Sequence, residues 1–318
     1  MQFHRKREMR RSPRDSWLVK VRPVKPLRAL LGYLAVVFLG AAAVAPWVYL
    51  AVQHYAPGSG LAHQPFHRYV NRCLLILALA GIWPLVRALG LKSWVEIGWN
   101  RSVPWGREAR AGLFFGFVSL ALAAVAALAF GGRQWRADHT AAEWLKYLVN
   151  AVGAALLVSV LEELLFRGAV FSALRRGASF GLAAAVSAGV YALVHFFERP
   201  PEPVEVDATT GFLMLSRMLH GFLDPHAVFP GLLTLALAGG LLAWARERTG
   251  ALWFGMGLHA GWIFWLKSYG FLTVESPTAT AAVWGSAKLY DGWAALLVLT
   301  LVSVPLAWRW RGRPVSPS

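Results

Sequence analysis

Long, nearly unbroken apolar stretches alternate along this chain with short intervals where the polar residues gather. Stretches of about 20 residues, the length an α-helix needs to cross a hydrocarbon core, lie near 28–52, 70–90, 110–131, 147–174, 179–197, 229–246, 250–268 and 289–308. The pattern predicts an all-α fold: a polytopic membrane helix bundle over 28–308, with about eight transmembrane helices. A polar, basic tail precedes it at 1–27, with Arg5, Lys6, Arg7, Arg10 and Arg11, and a short tail follows at 309–318. No internal repeat and no second domain is visible. The interval richest in turn-forming and acidic residues is 198–228, with Pro200, Pro201, Pro203, Glu198, Glu202, Glu205 and Asp207, and it is expected to be exposed to water.

Composition supports this reading. Of the 318 residues 57% are hydrophobic and 15% charged, and the mean hydropathy is +0.48; a soluble domain of this size needs more polar surface. The 16 Trp and 8 Tyr suit two lipid–water interfaces, where amphipathic rings settle at headgroup level. A net charge of +16 raises the question of nucleic acid. The cations punctuate apolar runs instead of covering a folded face, so anionic lipid headgroups at the basic tail are the expected partner, and nucleic acid is not. Cys73 is the single cysteine, which excludes disulfides within the chain and Cys-rich metal sites.

Charge also orients the bundle. With the N-terminus in the cytoplasm, 23 of the 32 Lys and Arg residues fall on the inner side and 9 on the outer side. Both termini are therefore read as cytoplasmic, the 198–228 interval as external, and the location as a bacterial inner membrane. Ala43-Val44-Ala45 resembles a signal-peptidase site, but the preceding basic segment is long for a signal and the apolar run continues to Val52, so a retained anchor is expected.

Inside the runs ionisable residues are scarce: Glu162, Glu163, Arg167, His195 and His259. A charge at the bilayer centre costs roughly 3 kcal/mol on insertion scales, so such residues usually face the bundle interior and serve a function. Glu163 and Arg167, at i and i+4, can neutralise each other on one helix face. Glu162 has no such partner, because Leu165 and Phe166 occupy its i+3 and i+4 positions. Counting from the Gly177–Ala178 turn, Glu162 lies about 16 residues before it and His195 about 17 after it. At ~1.5 Å per residue, antiparallel helices bring the two to one level. His259 is about 9 residues past Gly250, shallower but within reach of the same level if that turn is recessed.

Glu162-Glu163-Leu164-Leu165-Phe166-Arg167 matches an EExxxR motif, and Tyr191-Ala192-Leu193-Val194-His195 an FxxxH motif with Tyr for Phe. In this order, followed by His259, they resemble the CPBP family: CAAX prenyl endoproteases, bacteriocin-processing proteins and abortive-infection proteins. The resemblance covers about 110–270, the expected catalytic core. In the family's third motif an Asn or Asp follows the His by four residues; here Ile263 stands in that place. The resemblance implies an intramembrane endopeptidase of the glutamate type without a cofactor. Glu162 would be the general base, His195 would orient the water, and His259 would help hold the oxyanion. Glu163, Arg167 and Tyr191 would support them. Desolvation disfavours a carboxylate's charged form and so makes it a stronger base. In place of an amide at 263, the Trp262 N–H or a freed backbone amide would have to serve.

Two alternatives stand beside this. One is a zinc hydrolase with His195, His259 and Glu162 or Glu163 as ligands; against it, HExxH is absent, and adjacent helical carboxylates point ~100° apart. The other is a non-enzymatic sorting or immunity protein, or a transporter, on the same scaffold. The expected substrate is a protein or peptide in the membrane. The Ala-, Arg- and Trp-rich composition suggests a GC-rich bacterium, and so an anchored or exported substrate before a prenylated one.

Overall fold

A computed structural model describes residues 24–197, 201–222, 225–277 and 279–310. Most of the basic tail, and the C-terminal tail from 311, lie outside these residues. The chain forms α1 (Val24–Tyr55), α2 (Phe66–Ala88), α3 (Trp105–Ala129), β1 (Arg133–Trp135) and α4 (Ala141–Glu162). α4 continues into a π-helical segment (Glu163–Phe171) and α5 (Ser172–Arg175), followed by α6 (Phe180–Val194), α7 (Thr210–Met218) and a 3₁₀ turn (Leu219–Phe222). The remainder is α8 (Pro225–Thr249), α9 (Trp253–Leu272), β2 (Thr273–Glu275), α10 (Ala281–Trp284) and α11 (Trp293–Arg309). The fold is the expected all-α polytopic membrane bundle, with one two-stranded antiparallel ribbon, β1 on β2.

Among the described residues, five segments are long and apolar enough to cross a membrane: Pro26–Tyr55, Phe66–Ala88, Trp105–Ala129, Ala141–Arg175 and Val228–Thr249. The other three apolar runs became α6, of 15 residues, α11, of 17, and the 20-residue α9. At ~1.5 Å per residue α6 is about 22 Å long, short of a ~30 Å hydrocarbon core. All eight nevertheless alternate between two ends of the bundle. One end gathers Arg175 on Glu247 at 2.8 Å, Arg176 on Glu96, and Arg309 on Glu108 at 3.3 Å. The other gathers the β1–β2 ribbon and the His139 ring stacked on Phe271 at 3.7 Å.

The tightest helix pair is α3 with α9, and glycine explains it. Gly112 and Gly116 on α3 face Gly257 and Gly261 on α9, both pairs at GxxxG spacing. A Cβ on Gly112 would sit 2.1 Å from the Phe254 carbonyl oxygen, and one on Gly257 2.0 Å from that of Ala109. In lipid, small residues let backbones approach this closely, and dispersion then holds the pair. The pairs 109–257 and 117–261 rise together, so α3 and α9 run parallel, as two helices separated by three crossings must.

The 198–228 interval differs from the expected loop. Residues 201–209 are largely exposed, but α7 docks on α1, with Thr210, Gly211 and Met214 buried. A Cβ on Gly211 would lie 1.9 Å from the Ala42 carbonyl oxygen. Asp207 starts this helix: its Oδ1 accepts from the backbone N–H groups of Thr209 and Thr210 and from both hydroxyls. The Thr209 and Thr210 hydroxyls and the Thr209 amide hold the Asp207 carboxyl below the usual carboxylate range.

Candidate active site

Three elements converge on one point: the α4–π junction, the end of α6 and the middle of α9. The π segment begins at Glu163, directly after Glu162. π-Bulges are rare and frequent at functional sites, because the extra residue per turn rotates everything beyond it and frees backbone carbonyls. Two serine hydroxyls bond to carbonyls of this segment. Ser187 of α6 donates to the Phe166 carbonyl at 3.0 Å, and Ser172 to that of Arg167 at 3.0 Å.

α6 stops where its own histidine stops it. In a continuing helix the Tyr191 carbonyl would accept the His195 backbone N–H. Here it accepts the His195 ring Nδ1–H at 2.7 Å, and the His195 amide turns back to the Ala192 carbonyl at 3.1 Å. The side chain outcompetes the ladder, so the helix ends at Val194, short of the expected 197, with the imidazole held at its tip.

The two adjacent glutamates face different surroundings. Glu163 is 1% exposed and Arg167 0%, with Arg167 Nη1 3.0 Å from Glu163 Oε1. Arg167 Nη2 donates to the Gly239 carbonyl at 3.2 Å, and its guanidinium lies 4.4 Å from the Tyr191 ring centroid. Gly255 leaves room for the Glu163 carboxylate, since a Cβ there would stand 2.8 Å from Oε2. Glu162 is 24% exposed. Its Oε2 lies 3.7 Å from His195 Nε2 and 3.6 Å from His259 Nε2, and has no hydrogen-bond donor among the described residues. His259, 4% exposed, puts Nδ1 3.2 Å from Glu163 Oε1, while its Nε2 is 3.3 Å from the Tyr191 hydroxyl.

These contacts assign the tautomers. The partners of both Nδ1 atoms, a carbonyl and a carboxylate, only accept, so both Nδ1 carry the proton in the neutral rings. Each Nε2 then presents a lone pair beside the Glu162 carboxylate. The His259 lone pair is within reach of the Tyr191 hydroxyl, which leaves Glu162 Oε2 and the His195 lone pair as open acceptors around one point; a small molecule that donates from two sides, as water does, suits them. Among the described residues no group of three His, Cys, Asp or Glu side chains is arranged to hold a metal ion.

A family model, the Rce1-like type II CAAX prenyl endopeptidase, matches residues 144–265. That stretch contains every residue of this constellation. Over this stretch, less than half of the chain, the sequence is similar to that family. No curated protein and no solved structure matches the chain. The match supports a CAAX-type intramembrane endopeptidase in general terms.

The six residues expected from the sequence thus meet in one place within the matched stretch. Glu162, His195 and His259 face one another, Glu163 and Arg167 lie behind them, and Tyr191 joins the two histidines. Ile263 lies one turn from His259 in a small apolar cluster with Ala155 and Ala260, packed on Val158 and Phe264. The Trp262 indole, expected as a substitute donor, points away and donates to Ser119 at 2.8 Å. Sequence reasoning missed Gly255, Ser187 and the π phase. Gly255 and Ser187 carry no motif, and nothing in the apolar string marks a π turn.

Proposed function

We propose that this protein is an intramembrane endopeptidase that hydrolyses a peptide bond of a membrane-associated or exported protein with a water activated by Glu162. The observation that carries the reading is the convergence of two histidine Nε2 atoms, each with its Nδ1 committed elsewhere, on one oxygen of the only partly exposed carboxylate. A water there donates one hydrogen to Glu162 and the other to His195. Its oxygen attacks the carbonyl carbon, Glu162 takes the proton, and the C=O electron pair moves onto oxygen. The C–N bond then breaks, the electron pair returns, and the proton passes from Glu162 to the departing amine, leaving an acid and an amine. Glu163 and Arg167 hold the backbone and His259 in register. The Lys and Arg distribution supports an inner-membrane protein with both termini in the cytoplasm, its basic tail on anionic headgroups.

The test compares membranes of host cells carrying the native protein with those carrying Glu162→Gln. Peptides cut in the first and intact in the second define the substrates. Gln keeps the shape and removes the base, so the variant remains folded in the membrane while cleavage stops, and chelators leave the native enzyme unchanged. Stoichiometric bound zinc whose removal stops cleavage would favour the zinc alternative on the same three side chains. Native cleavage in Glu162→Gln would refute the role of the carboxylate.

A further inference from the structure

We propose that the Tyr191 hydroxyl is a catalytic group: the neutral donor that holds the substrate's carbonyl oxygen as negative charge develops on it. This rests on the Glu162-activated water of the preceding subsection. Attack by that water puts charge on the carbonyl oxygen, bonded to the same carbon as the nucleophile, and a preorganised donor about 3 Å from that oxygen is usually among the largest contributions to rate.

Donors near Glu162 are few, and most are committed. The Arg167 guanidinium is fully buried between Glu163, the Gly239 carbonyl and the Tyr191 ring. Both histidine Nδ1–H groups point away from Glu162, toward Glu163 and the Tyr191 carbonyl. The Trp262 N–H is spent on Ser119, and Ile263 has none to give. The Tyr191 hydroxyl remains. It is buried, 3.3 Å from His259 Nε2, which itself lies 3.6 Å from Glu162 Oε2. Between turnovers it donates to that lone pair, and its single proton turns to the carbonyl oxygen when a peptide occupies the site.

The ring is fixed from three sides. Phe166 meets it edge-on at 5.3 Å, Arg167 lies 4.4 Å from its centroid, and the His195 ring is 4.5 Å away. Its position therefore does not depend on the hydroxyl. No proton leaves the phenol in this step: it lends a hydrogen bond to the oxyanion and regains the bond to His259 when the C–N bond breaks.

The test is Tyr191→Phe, which keeps the ring and deletes the donor. It is measured on purified protein in liposomes, with a peptide cut by the native enzyme and left intact by Glu162→Gln. The expected result is a kcat lower by about 10²–10³-fold, the usual loss for one oxyanion donor, with KM changed less than about threefold and an unchanged melting temperature. A fluorinated tyrosine at 191, which keeps a donor, retains turnover and answers for the site if the Phe variant folds poorly. Native kcat in folded Tyr191→Phe overturns the proposal while leaving the role of Glu162 standing. A KM rise at constant kcat makes Tyr191 a binding group only and also overturns it. If no peptide depends on Glu162, both readings fall together.

Discussion

Removing Arg167 tests the division of labour between the two glutamates. Arg167→Gln takes the guanidinium from a carboxylate that is 1% exposed and leaves it with His259 alone, 3.2 Å away. At 3.0 Å and an effective dielectric near 20, the pair is worth about 5 kcal/mol of Coulomb energy before desolvation is counted. The Arg167 Nη1 contact is a charge contact without an aligned hydrogen bond, so the lower part of the range applies. Breaking a buried pair from one side costs ~3–5 kcal/mol, because the other charge is left uncompensated. For a chain of this size that lowers the melting temperature by on the order of 10 °C. Glu163→Gln alone strands the guanidinium and has a similar cost. The double variant removes both charges and should cost less than the sum of the two, by roughly 2 kcal/mol or more. The assay is thermal melting of the four purified proteins in one detergent, with folded yield as a second readout. Single variants that each melt within ~2 °C of native, with additive effects in the double, would refute the reasoning. Glu163 and Arg167 would then be a solvated pair, not the support of the site.

Gly257→Ala puts a Cβ 2.0 Å from the Ala109 carbonyl oxygen and forces α3 and α9 apart, so folded yield should collapse; a native melting curve would show that the close crossing is not required. Ile263→Asn buries an amide among Ala155, Ala260 and Val158, at a cost of ~1–3 kcal/mol without a gain in turnover per folded molecule. Faster turnover would instead place position 263 in the oxyanion site. A reporter inserted beside the fully exposed Val204 should be accessible only from outside the cell; cytoplasmic access would invert the orientation drawn from the Lys and Arg split.

The legible parts of the fold were those written as composition. All eight apolar runs became helices, and α3 and α4 begin about five residues before the runs that mark them, because the sequence shows where lipid or core begins and not where a cap forms. Thr140 caps α4 through a reciprocal box with Glu143, a signal present in the sequence but upstream of the apolar run. The α3–α9 crossing was legible in principle from two GxxxG pairs, but no sequence pattern says which pair meets which. The interval after His195 misled through its prolines and acids. Its second half carries Thr210, Gly211 and Met214 behind the Asp207 cap, a small face on which a short helix docks.

The site was legible as a set of residues, and its geometry was not, for a reason the two glutamates make plain. Adjacent helical positions point ~100° apart, so an EE pair cannot aim both carboxylates at one reacting centre, and the structure uses that divergence. The π segment starting at Glu163 turns Glu163 and Arg167 inward, where Gly255 makes room for the carboxylate and Gly239 offers a carbonyl. Glu162, on the last α-helical residue, keeps the other direction and the partial exposure that substrate and water need. Two carboxylates and one guanidinium leave one negative charge over. Because Arg167 is held by Glu163 at 3.0 Å, that charge rests on Glu162, beside two imidazoles whose protonated nitrogens are turned away. A single neutralised pair would give a stable helix with no base, and a lone carboxylate would give a base with nothing to fix the histidine beside it. The doubled glutamate supplies both, and the π turn separates the two tasks.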